Sequence, residues 1–267
     1  MSLEHPRARG RARQRIAEFG IQSPEEIDLE ALAAARNVLV REAALAGAQA
    51  RLVRRKRGGV IRVHAGLGSL GQKRFCVAHE LGHLLLHEGV DQLAFCSSTD
   101  MLPGYRARPE EPEANAFAAD LLMPERMFLD ACRGERPTFG LLAGVAESFR
   151  VTLSAMAFRY VELGVRVCAV AHSEEGHIRW SKAAGDFRIR LREWGSRLDG
   201  RTRASDFFGG RTRRTNEEDV PAEAWLDDHR VEARWTIREI MIPMPSYDSA
   251  LSLLWVVDGS ALDACEV

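Results

Sequence analysis

Lys73-Arg74-Phe75-Cys76-Val77-Ala78-His79-Glu80-Leu81-Gly82-His83-Leu84-Leu85-Leu86-His87 is the stretch on which the reading of this chain turns. Phe75, Val77, Ala78, Leu81, Leu84 and Leu85 recur at helical spacing, which predicts a buried helix over 73–87. Residues four apart share a helix face, so the His79 and His83 imidazoles project toward one point. Each offers a ring nitrogen at about 2.0–2.1 Å to a zinc ion. Glu80 lies about 100° around from His79, beside such a metal rather than on it. There a carboxylate can take a proton from water, whose pKa zinc lowers toward about 7, as hydroxide attacks a carbonyl.

The bland alternative is a helix with surface histidines, and it fits the surroundings poorly. Two histidines and a glutamate are expensive to bury in an apolar helix without a metal. Gly82 costs about 1 kcal/mol relative to alanine inside a helix. It makes sense where something passes close to the backbone. His87 continues the row at i+8 and is expected to pack or cap the helix end rather than bind metal.

A catalytic zinc takes three protein ligands and keeps one position open. The third is expected from a second apolar helix at about 113–122, which ends at Met123-Pro124. Glu113 is the best candidate, with Glu110, Glu111 and Asp120 as rivals that spacing does not separate. One ion per chain is expected, Zn2+ first, although two histidines and a carboxylate also suit Mn2+ or Fe2+. Tyr105 and Arg108, in the loop between the two helices, are candidates for stabilising an oxyanion, on loop position alone.

Outward from this centre the chain is heterogeneous. Residues 6–20 read as a helix carrying Arg7, Arg9, Arg11, Arg13 and Arg15, and 24–36 as another, with Ser23 as cap and Pro24 in the first turn. Residues 37–40 read as a strand and 50–63 as a hairpin turning at Gly58-Gly59, with 42–48 open between loop and helix. Arg51, Arg54, Arg55, Lys56 and Arg57 form a second basic run. Residues 138–163 predict two helices joined near Arg150. Beyond Val165 the texture is strand-like at 165–172, 177–180, 233–241 and 251–257, with Arg-, Gly- and Asp-rich loops over 199–220. The expected domains are 1–137, a metallopeptidase domain, then 138–164, then a C-terminal domain over 165–267 with sensor or substrate docking as candidate roles.

At 267 residues with 46% hydrophobic and 28% charged side chains, the chain supports a sizeable core and argues against wholesale disorder. A net charge of −1 gives no global pull toward nucleic acid or membrane. Five scattered cysteines, none in a Cys-x-x-Cys pair, suit reduced thiols in a cytoplasmic protein. No apolar stretch approaches the roughly 18 residues a membrane span needs. The N-terminus also lacks the apolar segment of a secretory signal.

Arg74-Phe75 with Ala78-His79-Glu80-Leu81-Gly82-His83-x-Leu85-Leu86-His87, followed by Glu113-Ala114-Asn115-x-Phe117-Ala118-Ala119-x-Leu121-Leu122-Met123-Pro124, resembles the ImmA/IrrE family of metallo-endopeptidases. The resemblance covers about residues 20–165. It implies an α+β fold with a small gluzincin-like core, a short β-sheet beside the two metal helices. It also implies metal ligands His79, His83 and Glu113, the last being the glutamate before the Ala-Asn pair, with Glu80 catalytic. Members of the family cleave helix-turn-helix repressors and thereby derepress stress-response or mobile-element genes. The expected partner is therefore such a repressor.

Family members often carry a helix-turn-helix-like segment after the core, and Leu141–Tyr160 looks like one. Two departures weaken a DNA-reading role. Arg150 stands where a glycine is often used, and beyond Thr152, Ser154 and Arg159 the second helix offers few base-reading side chains. Direct DNA binding, or a ligand-sensing antitoxin with a structural metal site, is the alternative function. Trp180, Trp194, Trp225, Trp235 and Trp255 all fall in 165–267, where core packing is their commoner use and a mixed α/β or mainly β domain is expected. Cys168 reads as inert core. The oligomeric state is not legible.

Overall fold

The computed structural model describes residues 5–87, 110–133 and 137–255, and the backbone of 95–96. Among these the chain is α+β, with eight α-helices and two sheets. No single helix among them is long and apolar enough to cross a membrane. The chain divides into two compact units: residues of 1–133 with 144–152, and residues of 134–143 with 153–267.

The first unit opens with α1 (Pro6–Glu18), which puts Pro6 where a helix has no use for its N–H. The expected helix over 24–36 is split. A 3-10 turn spans Pro24–Glu26, and α2 (Leu29–Ala34) starts only after Asp28, whose carboxylate accepts from the N–H groups of Glu30 and Ala31. The Ser23 side chain makes no capping bond. The carbonyls this turn leaves over are taken up by arginines. Arg74 donates to Ile27 O at 3.1 Å, and Arg150 donates to Glu25 O at 2.8 Å and Ile27 O at 3.3 Å.

Strands β1 (Val38–Ala43), β2 (Ala50–Arg55) and β3 (Gly58–His64) follow. β2 and β3 form the expected antiparallel hairpin, β1 runs parallel to β3, and β4 (Phe95–Cys96) borders β2, giving the order β1-β3-β2-β4. Gly58 sits at φ +111°, and a side chain there would collide with Asn37 O, so the turn requires glycine. Residues 44–48 are loop, not helix.

On this sheet packs α3 (Leu70–Leu86), the helix of the opening stretch, and α4 (Glu110–Leu122) lies against α3 with α1 beyond it. Ile61, Val63, Leu52, Val77, Ala78, Leu81, Phe117 and Leu121 form the core between them. The small side chains Ala8 and Ala12 let α1 approach closely, and the buried Arg9 pairs with the buried Asp120 of α4 at 3.3 Å. After Met123-Pro124 comes α5 (Glu125–Ala131), whose Phe128 ring packs on Phe149 at 5.7 Å.

Helices α6 (Phe139–Ser148) and α7 (Leu153–Glu162) match the expected pair, and the division between units falls within it. The turn is a left-handed helix end. Arg150 takes φ +52°, with Val151 N bonding Ala146 O and Arg150 N bonding Glu147 O. An arginine holds a conformation usually left to glycine, and its grip on the Pro24, Glu25 and Ile27 carbonyls offsets the strain.

The second unit is mainly β. Strands β5 (Cys168–Glu174), β6 (His177–Ala183), β7 (Asn216–Pro221), β8 (Thr236–Met244) and β9 (Ser249–Trp255) form one antiparallel sheet in the order β6-β5-β9-β8-β7. The short helix α8 (Arg203–Phe208) packs on β8. Both α8 and β7 lie in the stretch read from sequence as loop. Glu239 explains how α8 starts: its buried carboxylate accepts from Arg203 N, Ala204 N, the Trp225 indole and the Ser252 hydroxyl, all at 2.8–2.9 Å. Trp180 and Trp225 are core, whereas Trp194 is 52% exposed. Burial pushes the Cys168 thiol up to about 12, as an inert core cysteine requires.

Candidate metal centre

The local sequence determines where α3 begins and ends. The Ser69 hydroxyl accepts from Gln72 N at 3.2 Å and starts the helix. At the other end two arginines take the orphan carbonyls. Arg54 donates to His83 O at 2.6 Å and His87 O at 3.2 Å, and Arg7 donates to Leu86 O at 2.8 Å. Both basic runs are thus partly spent inside the first unit: Arg13 pairs with Glu125 and Arg15 with Glu18.

His79 and His83 do share a face, with Nε2 atoms 3.0 Å apart. The carboxylate that joins them is Glu111. Its Oε2 lies 3.1 Å from His79 Nε2 and 3.3 Å from His83 Nε2. Glu113 is not brought to this point; its Oε2 lies 3.0 Å from His87 Nε2. Of the other rivals, Asp120 is committed to Arg9. Tyr105 and Arg108 lie outside the described residues.

Donors about 2.05 Å from a tetrahedral metal stand about 3.3 Å from one another. The observed 3.0, 3.1 and 3.3 Å fit that spacing. The chemistry fits as well. His79 Nδ1 lies 2.9 Å from Asn115 Oδ1, an acceptor, so the proton sits on Nδ1 and Nε2 presents a lone pair. That lone pair, the facing His83 nitrogen and a carboxylate oxygen converge in a spot where the three residues are buried. With both rings neutral and no metal ion, such an arrangement repels itself. Among the described residues this is the group of His, Cys, Asp or Glu side chains able to hold a metal ion. When the two rings are protonated instead, burial still raises the Glu111 carboxyl, but the hydrogen bonds and charge they then bring hold it well below the usual carboxylate range.

Glu80 is fully buried on the same helix. Together with burial it pushes the Cys76 thiol, one turn back, up to about 12. Gly82 meets the expectation of close approach: a Cβ there would sit 3.1 Å from Ala114 Cα and 3.2 Å from Ala114 O on α4. His87, expected to pack or cap, does more. Its Nδ1 lies 3.1 Å from His83 Nδ1. Burial lowers its imidazole below the ordinary value, against the opposing pull of Glu113.

Two of the three side chains considered for base reading are engaged within the fold. Arg159 is 1% exposed and pairs with Glu162 at 2.7 Å, and the Ser154 hydroxyl faces the Met244 sulfur at 3.8 Å.

Residues 33–160 match the model of a peptidase family described as the IrrE N-terminal-like domain. No curated protein matches the chain. Among solved structures, one described as a Mycobacterium tuberculosis transcriptional regulator has a similar fold, with a TM-score of 0.64 and 16% identity over 96% of this chain and 90% of that one. At that identity the likeness bears on the fold alone.

Proposed function

Because residues 33–160 are an IrrE N-terminal-like domain, we propose that this chain is a metal-dependent endopeptidase that hydrolyses one peptide bond in a specific protein. Its substrate in this reading is a helix-turn-helix transcriptional repressor, whose cleavage derepresses the genes it silences. The observation that carries the peptidase reading is the convergence of His79, His83 and Glu111 within 3.0–3.3 Å, with Glu80 the next residue on the same buried helix.

The family and the donor set together imply zinc, held by the two Nε2 atoms and Glu111. When bound, such an ion supplies Lewis acidity toward water and the scissile carbonyl. The protein does the rest. Asn115 and His87 hold the two imidazoles in the tautomer that presents Nε2. Glu80 takes the proton of the attacking water as the new C–O bond forms, and then passes it to the leaving amine as the peptide C–N bond breaks. A general base beside the ligands has no use in a purely structural site. The burial of Arg159 likewise takes a base-reading side chain away from the DNA-binding alternative.

The test is metal content by mass spectrometry together with cleavage assays on purified helix-turn-helix repressors. Wild type is expected to hold about one ion, and His83→Ala and Glu111→Gln to lose it. Glu80→Gln is expected to keep the metal and lose about 10²–10⁴ in cleavage rate. Normal cleavage by Glu80→Gln would sink the mechanism, and a wild type that takes up no metal under any loading condition would sink the reading.

A further inference from the structure

Behind His83 the hydrogen bonds do not stop at one partner. His83 Nδ1 lies 3.1 Å from His87 Nδ1, and His87 Nε2 lies 3.0 Å from Glu113 Oε2. Once His83 gives Nε2 to a metal, the order of protons along this row is forced. His83 must carry its proton on Nδ1, because a neutral imidazole has one donor and one acceptor nitrogen. That N–H points at His87 Nδ1, which must then accept. His87 therefore carries its own proton on Nε2 and donates it to the Glu113 carboxylate. The opposite order would place a proton on His83 Nε2, where the metal belongs.

We propose that His87 and Glu113 are positioning residues, a two-step relay that fixes the tautomer and ring orientation of His83 and so sets how tightly the centre holds its metal. This rests on the metallopeptidase reading and adds roles for two residues that do not touch the ion. Three further observations support it. The rings of His83 and His87 are 5.2 Å apart, close enough for their edges to meet. Their backbones are held together, since the Arg54 guanidinium bonds both carbonyls. The carboxylate end is the most open part of the row: the side chains are 7% exposed at His83, 9% at His87 and 28% at Glu113. An anion there strengthens the His83 donor from a distance without being a ligand itself. On the other side, His79 meets a neutral amide, that of Asn115, rather than a second imidazole.

The experiment measures the Zn2+ dissociation constant by chelator competition in the full chain. It also records the visible spectrum of the Co2+ form and the melting temperature with and without chelator. Glu113→Gln and His87→Ala are each expected to weaken Zn2+ binding about 10- to 100-fold, the usual effect of losing an outer partner of a ligating histidine. The double variant is expected to be no weaker than His87→Ala, because Glu113 acts only through His87. Glu113→Asp is expected to recover part of the loss. The chelated proteins are expected to melt alike, with only the melting gain on adding metal reduced, which separates positioning from a general structural role. Equal affinity in wild type, Glu113→Gln and His87→Ala would overturn the relay, as would complete loss of metal in Glu113→Gln, which would make Glu113 a ligand. If wild type itself bound no Zn2+ or Co2+, the parent reading would fail first, and that result is distinct from either.

Discussion

Replacing Gly82 with Ala asks α3 and α4 to hold a methyl group at the point where they touch. The added Cβ would meet Ala114 Cα at 3.1 Å, Ala114 O at 3.2 Å and the Phe117 ring at 3.2 Å, each tighter than ordinary contact, which begins at 3.4 Å. Two of the three obstacles are backbone atoms, so no rotamer change relieves them, and α4 must shift by a few tenths of an ångström. Overpacking of this kind costs about 1–3 kcal/mol. Alanine returns about 1 kcal/mol of helix propensity. The net expectation is a fold that is unchanged to about 2 kcal/mol less stable. The larger effect falls on the centre, because Glu111 and Asn115 sit beside Ala114 on one side of the helix that has moved. Metal–ligand distances tolerate only about 0.2 Å. Gly82→Ala is therefore expected to weaken Zn2+ binding at least about tenfold, as disturbed outer-sphere bonds do. Chelator competition gives the affinity, and melting of the chelated protein gives the stability. A variant that melts higher than wild type and holds zinc as tightly would refute the close-approach argument.

Every tryptophan lies between Trp180 and Trp255, so indole fluorescence reports the second unit, while helical circular dichroism also follows the first. Asp120→Ala is expected to cost about 3–5 kcal/mol in a urea titration read by circular dichroism, because it removes the carboxylate from beside the buried Arg9 guanidinium. Arg9→Met with Asp120→Leu is expected to recover most of that loss, and if the single variant were silent the pair would be structurally idle. Glu239→Gln is expected to lower the fluorescence-detected stability by about 1–3 kcal/mol at acidic pH, since both carboxylate oxygens meet backbone N–H donors and an amide nitrogen can face neither. Burial raises the folded Glu239 pKa against the hydrogen bonds from Trp225 and the other donors. Its neutral form is thus favoured in the folded state, and its contribution to stability is lost as pH rises from the unfolded value of about 4.3. The gap between wild type and Glu239→Gln should narrow across that window, and a gap that widens would contradict the direction.

Much of the first unit was legible because its signals are local. The Gly58-Gly59 turn, the apolar period of α3 and the Met123-Pro124 break each follow from a few neighbouring residues. The misreadings have physical causes. Ser23-Pro24-Glu25-Glu26 looks like a helix start, but Asp28 offers a better cap five residues after Ser23 and leaves only a 3-10 turn before it. β7 was taken for loop because Glu217, Glu218 and Asp219 do not alternate with apolar residues. At the sheet edge these acids face solvent and pair with Arg238 and Arg203 instead. α8 depends on a carboxylate 36 residues away, and no local pattern announces that.

The choice between Glu111 and Glu113 is a question of helix phase, and the phase is set by Gly82. The apolar pattern suggested a helix from about 113, but α4 starts at Glu110 and takes Pro112 into its first turn, where proline is tolerated. That places Glu111 on the helix rather than in the loop before it. Gly82 then fixes which way the helix faces, since Ala114 is the residue that meets it. At about 100° per residue, Glu111 stands about 60° to one side of Ala114 and Asn115 about 100° to the same side, while Glu113 stands about 100° to the other. One close contact thereby sends Glu111 and Asn115 to His79 and Glu113 to His87. Both glutamates border the centre on this account, one converging with the two histidines and one reaching them through an imidazole. A glycine in the metal helix and a small residue in the facing helix are what tell them apart.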